Sequence, residues 1–140
     1  WARNSSENFG NYCEIEMNKF LIILTTINGF LFFLIGLLWV ISPYDAASIF
    51  GITILPIGLG LSSLIGDIGS YFLCIGVMMI LAAYTLNSIW FYAPALLLGS
   101  TAVLRFISWS MHDANFATQF IIVEILIVTL LLVTARRVRK

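Results

Sequence analysis

Three charged residues interrupt otherwise apolar stretches: Asp67, Arg105 and Glu124. Two carboxylates and one guanidinium can do one of two things inside a protein. They can neutralise one another and fix the register of the segments that carry them. Alternatively, they can line a polar pocket that receives a ligand. Projected on helices at about 100° per residue, Asp67, Ser70, Tyr71 and Cys74 share one arc, and Pro94, Thr101, Arg105 and Ser108 share another. Asn28 is a further polar residue set among apolar neighbours. The candidate ligand-binding or polar-network residues are therefore Asp67, Arg105, Glu124, Ser108, Ser70 and Asn28. No His/Cys cluster has metal-ligand spacing, and no phosphate-binding loop or Ser–His–Asp set is present. No catalytic residue, metal or cofactor is assigned. His112, the single histidine, reads as an exposed loop residue.

The composition says what must hold these groups. Of 140 residues, 61% are hydrophobic and only 10% charged, against roughly 45–50% and 25% in a soluble domain. The mean hydropathy is +1.02. Seven basic and seven acidic residues cancel, which leaves no basic field for nucleic acid. The chain reads as an integral membrane protein whose first partner is the lipid bilayer. Four apolar stretches, at about 20–41, 64–84, 88–108 and 116–135, have the roughly 20 residues needed to cross hydrocarbon. They do not alternate as membrane strands do, and lipid demands that each backbone satisfy its own hydrogen bonds. The expected fold is all-α, an antiparallel four-helix bundle.

Orientation follows from the flanks. With four spans, Lys19 and the tail cations Arg136, Arg137, Arg139 and Lys140 share one side, and Asp45, His112 and Asp113 lie on the other. The positive-inside rule puts both termini in the cytoplasm. Trp39, Tyr44, Trp90, Tyr92 and Trp109 fall near span ends, as an aromatic belt requires. Residues 1–16 form a polar, weakly acidic arm ahead of the domain at 17–140. Met17-Asn18-Lys19-Phe20 reads as a start running into the first helix, so a chain beginning at Trp1 is processed, truncated or extended. The first apolar run exceeds a signal-peptide core and is taken as a real span. Asn4-Ser5-Ser6 fits a glycosylation sequon that a cytoplasmic arm would leave unused. Cys13 and Cys74 are expected to lie apart, without a disulfide.

Two of the loops are short, which forces neighbouring spans to pack antiparallel. The first, at 42–63, is long. Ser42 as N-cap, Pro43 at the first helical position and Asp45 completing a capping box predict a short interfacial helix at 43–50. Gly51 is its candidate terminator. Residues 52–63 are apolar but broken by Pro56, Gly58 and Gly60, and are expected to fold back onto the bundle or interface and cover a cavity. Gly29 and Gly36 on the first span, Gly69, Gly76 and Ala83 on the second, and Ala95 and Gly99 on the third mark faces where backbones can approach.

Depth then connects the charges. At about 1.5 Å per residue, Glu124 is roughly 12 Å inside the outer boundary and Arg105 and Asp67 about 5 Å. A charge at a helix centre costs about 2.5–3.5 kcal/mol on insertion scales. The economical arrangement turns all three inward, with Arg105 between the two acids.

The pattern as a whole resembles a family of small bacterial four-helix membrane proteins known as a domain of unknown function, distantly similar to the DoxX-like proteins. The resemblance rests on Pro43 and Phe50-Gly51, Gly66-Asp67-Ile68-Gly69 with Gly76, Leu104-Arg105-Phe106-Ile107-Ser108, Asp113 and Glu124, over about 17–135. Its second-span motif differs from the family's double glycine. The likeness implies the fold and the network, and no reaction. Three function classes follow. One is a structural or accessory subunit, in a larger membrane complex or a homo-oligomer. The second is a transporter or binder of a small apolar or anionic ligand through an outward-facing pocket. The third is a membrane enzyme or receptor for a small apolar ligand.

Overall fold

The computed structural model describes residues 2–112 and 114–138, with side chains from Glu14 onward. Asp113, Arg139 and Lys140 lie outside these described residues, and the side chains of the sequon at Asn4 and of Cys13 lie outside the described side chains. Helix α1 is Ala2–Ile41, α2 Pro43–Ile49, α3 Leu59–Leu64, α4 Ser70–Thr85, α5 Ser88–His112 and α6 Thr118–Val138. A π turn, Ile65–Gly69, joins α3 to α4. Four segments are long and apolar enough to cross a membrane: Glu14–Ile41, Leu59–Thr85, Ser88–His112 and Thr118–Val138. The described chain is an all-α, antiparallel four-helix bundle.

The polar arm does not stand apart from the first span. Helix α1 is continuous over 40 residues, about 60 Å at 1.5 Å per residue and twice the hydrocarbon thickness. The segment contains no proline to break it, so a helix nucleated in the apolar part propagates outward. The second span also begins earlier than the glycines imply, at Leu59. Gly58 supplies a positive φ of 62° for the turn into it. Gly60 is inside the helix because Pro56 packs against its bare Cα.

Glycine sets the closest helix pair. A Cβ on Gly76 would lie 2.5 Å from the Phe33 amide nitrogen and 2.7 Å from the Gly29 carbonyl. One on Gly36 would lie 2.7 Å from the Leu73 nitrogen. The two glycine stripes thus face each other, antiparallel, and α1–α4 is the most extensive contact in the bundle. Helices α4 and α5 follow through a tight turn in which Leu86 takes a left-handed φ of 53°. Helix α6 packs along α5 and closes the ring against α1 more sparingly.

The long first loop forms α2 where capping signals place it. The cap differs in detail, because the Ser42 hydroxyl bonds the Asp45 carboxylate instead of a backbone amide. The helix ends as expected at Gly51, whose φ is +73°. The Ile52 amide reaches back to the Ala47 carbonyl in a Schellman arrangement. Ala46 and Ala47 are buried against Trp39. Downstream, Ile52 and Leu55 pack onto this outer core, while Ile54 and Ile57 remain exposed.

Candidate functional site

The site lies in the half of the bundle that carries α2, where α1 and α6 leave room between them. Arg105 sits near the end of α5 and Glu124 on the facing side of α6. The Arg105 Nε donates to Glu124 Oε1 at 3.0 Å. The antiparallel α5–α6 pairing that puts Gly99 against Val128 also brings these two side chains level. Phe120, one turn before Glu124, lies under the guanidinium at 4.9 Å from ring centroid to Cζ. One face of α6 therefore supplies both the anion and the aromatic platform for the cation.

Aromatic packing continues from there to the outer loop. Phe50 stacks on Phe120 at 5.8 Å and tilts against Phe72 at 5.2 Å and Trp39 at 6.2 Å. Phe50 leaves α2 just before Gly51, so the Schellman turn aims it down into the bundle. On the other flank, the Tyr71 hydroxyl meets Thr101 Oγ1 at 2.6 Å. Thr101 also donates to the Leu97 carbonyl at 3.0 Å. Thr101 lies one turn before Arg105, so this pair forms the next layer of the same polar wall.

Two cavities flank that wall. One, of about 320 Å³, lies between Phe32, Phe50, Leu98, Arg105, Phe120 and Glu124. The other, of about 460 Å³, is bordered by Ile52, Asp67, Ile68, Thr101 and Arg105. Both are shared by Phe50, Tyr71, Phe72, Thr101 and Arg105. Most of the lining is apolar, and the polar groups converge at one end. Glu124 is 8% exposed, and its Oε2 has no hydrogen-bond partner among the described residues. A buried acceptor left unpaired costs about 1–3 kcal/mol, so this oxygen is the most demanding atom in the site.

The candidate residues divide. Arg105 and Glu124 meet. Asp67 lies on the π turn, exposed, and makes no ion pair with Arg105, although both border the larger cavity. A π turn carries more residues per turn than an α-helix, so a projection at α-helical spacing misplaces Asp67 relative to α4. Ser70, exposed, donates to the Asp67 carbonyl at 3.3 Å. Asn28 satisfies itself within α1, donating to the Leu24 carbonyl at 2.8 Å. Ser108 is half-buried on α5, beyond Arg105 and outside both cavities. Cys74 is an exposed free thiol. Among the described residues no group of three or more His, Cys, Asp or Glu could hold a metal ion.

Phe50 and Phe120 belong to the site and were not among the residues read from sequence. Phe120 was signalled by its position one turn before Glu124. Phe50 was signalled by Gly51, which fixes the direction in which the chain leaves α2. No protein-family model, curated protein or solved structure matches the chain.

Proposed function

We propose that the protein binds a small amphipathic molecule in the outer cavities, with an apolar body among Phe32, Phe50, Phe72 and Leu98 and a hydroxyl or carboxyl end at Arg105 and Glu124. The carrying observation is the Arg105–Glu124 ion pair on the wall of an otherwise apolar cavity of about 320 Å³ that both residues line. A ligand hydroxyl or carboxyl would sit beside this pair. The same ligand oxygen would accept from the guanidinium, which spends only its Nε on the protein among the described residues. An apolar pocket with a few converging polar groups is the usual form of a small-molecule site.

A structural or accessory subunit is the second reading. Its specific support is an apolar trough of about 410 Å³ along α1, lined by Leu31, Leu34, Leu38 and Ile41, which would take a partner helix. Acyl chains would fill it equally well, so the cavity reading leads. For localisation we propose a bacterial inner membrane, on the resemblance to the small bacterial four-helix family, with both termini cytoplasmic on the basic flanks.

The test uses a photoreactive medium-chain fatty acid on the purified protein. Saturable labelling of the α6 peptide holding Phe120–Glu124 is expected, competed by the parent acid. Thr101→Trp should abolish it, because the indole fills the cavity and leaves Arg105 and Glu124 in place. Labelling that never saturates, or that Thr101→Trp leaves unchanged, would sink ligand binding. Co-purification of a stoichiometric membrane partner would then favour the subunit reading.

A further inference from the structure

At the other end of the bundle, far from the cavities above, α1, α6 and the α4–α5 turn border an open cavity of about 240 Å³. Its polar groups are Asn18 on α1 and Arg137 in the last turn of α6, and its apolar wall includes Leu21, Ile22, Leu86 and Val138. The Arg137 Nη1 approaches Asn18 Oδ1 at only 3.5 Å, the outer limit of a hydrogen bond. The ion pairs among the described residues are Lys19–Glu16 and Arg105–Glu124, so no described carboxylate neutralises Arg137. The remaining hydroxyl of the lining, that of Thr134, is spent on the Leu130 carbonyl. Lys19 and Arg136 stand exposed on the same two helices.

This combination has a definite chemical complement. A half-buried guanidinium with free N–H groups, beside an amide donor, fits the oxygens of a phosphate ester. The apolar wall below it is useless to a soluble anion and suited to an acyl chain. The stretch of α1 around Asn18 and the last turn of α6 that form it lie where the apolar spans give way to charged residues, which is headgroup depth for a spanning bundle. Basic pockets between membrane helices bind anionic headgroups in this way. We propose that this cavity seats the phosphodiester of an anionic phospholipid, the phosphate on Arg137 and Asn18 and a chain along Leu21 and Ile22. The position of Arg137 at the α6 C-terminus also complements the helix dipole, but that role requires no cavity and no Asn18.

The experiment titrates purified protein in neutral detergent with phosphatidylglycerol, phosphatidylcholine of the same chains, or glycerol phosphate, and reads the thermal midpoint and lipid retention by native mass spectrometry. Phosphatidylglycerol should raise the midpoint and stay bound, while the other two should not. Arg137→Gln should weaken retention roughly tenfold, the scale of one charge-assisted contact, and Arg136→Gln should change it less than twofold. Ile22→Trp fills the cavity and keeps every charge. It should abolish retention too, and it decides the matter if Arg137→Gln does not fold. Equal losses in Arg136→Gln and Arg137→Gln would mean diffuse surface charge and overturn the site. Equal retention of phosphatidylcholine would overturn headgroup recognition. A midpoint shift with glycerol phosphate would overturn the lipid assignment in favour of a soluble phosphate ester.

Discussion

The Arg105–Glu124 pair ties α5 to α6, and its contribution to stability can be separated from the binding role proposed for it. Glu124 is buried and Arg105 about a third exposed, with side-chain values of 11% and 29%. Removing one member of such a pair strands the other charge, at about 3–5 kcal/mol for a fully buried pair and less where one partner reaches solvent. Arg105→Met is therefore expected to lower stability by about 2–4 kcal/mol, and Arg105→Met/Glu124→Leu to recover at least half of that loss. Chemical or thermal unfolding in detergent measures it, and a double variant no more stable than the single would show that the ion pair is not the cause. Leu86 offers a second test at this scale. Its φ of 53° is left-handed, a conformation that costs a non-glycine residue about 1–2 kcal/mol. Leu86→Gly should raise stability by about 0.5–1 kcal/mol in the same assay. The gain is smaller than the strain because the leucine side chain, about half exposed, still buries some apolar surface. The charged members of the site were legible in the sequence because ionisable groups in apolar runs are rare and costly. Asp67 had the same signal and a different fate, since its orientation depends on backbone winding that residue type does not encode. Asn28 closed its own hydrogen bond one turn back, an option open to any short polar side chain on a helix.

At the scale of elements, the glycines divide sharply by what faces them. A Cβ on Gly76 would meet backbone atoms of Phe33 and Gly29, which cannot swing aside. One on Gly99 would come no closer than 4.0 Å, to a Val128 methyl. Gly76→Ala should therefore cost about 1–3 kcal/mol through forced separation of α1 and α4. Gly99→Ala should be neutral or gain up to about 1 kcal/mol from helix propensity. Thermal unfolding of the two variants side by side checks the contrast, and equal destabilisation would show that α1 and α4 pack more loosely than the geometry requires. The facing stripes could be read in advance, because two-turn spacing of glycine on both spans has few uses other than close approach. The start of the second span could not. Pro56, Gly58 and Gly60 look like one breaking cluster, yet only Gly58 has the backbone angle of a break. The π turn at Ile65–Gly69 was equally hidden, since one added residue in a turn leaves the apolar composition unchanged. Helix α2 was legible at both ends, from Ser42-Pro43 at its start and Gly51 at its finish.

For the whole molecule, the described helices form a closed ring in which each long helix runs opposite to its neighbours. Gly29 lies against Gly76, Tyr71 against Thr101, Arg105 against Glu124, and Arg137 against Asn18. This geometry places the start of the first span and the end of α6 on one face and α2 on the other, whichever way the bundle is inserted. The basic flank then selects the direction, because Lys19, Arg136 and Arg137 lie on the first face and Asp45 on the second. Single cysteines test both steps in a background with Cys13 and Cys74 replaced by alanine. On intact cells, with any outer membrane made permeable, a membrane-impermeant maleimide should label Ser48→Cys on α2 at once. It should label Lys19→Cys and Arg136→Cys only after the inner membrane is opened. The reverse pattern would keep the four-span ring and invert the bundle, moving the outer cavities to the cytoplasmic side and the phosphate-binding cavity to the other leaflet. Labelling of Lys19→Cys and Arg136→Cys from opposite sides would contradict the ring itself, since the Arg137–Asn18 contact requires the start of the first span and the end of α6 to meet.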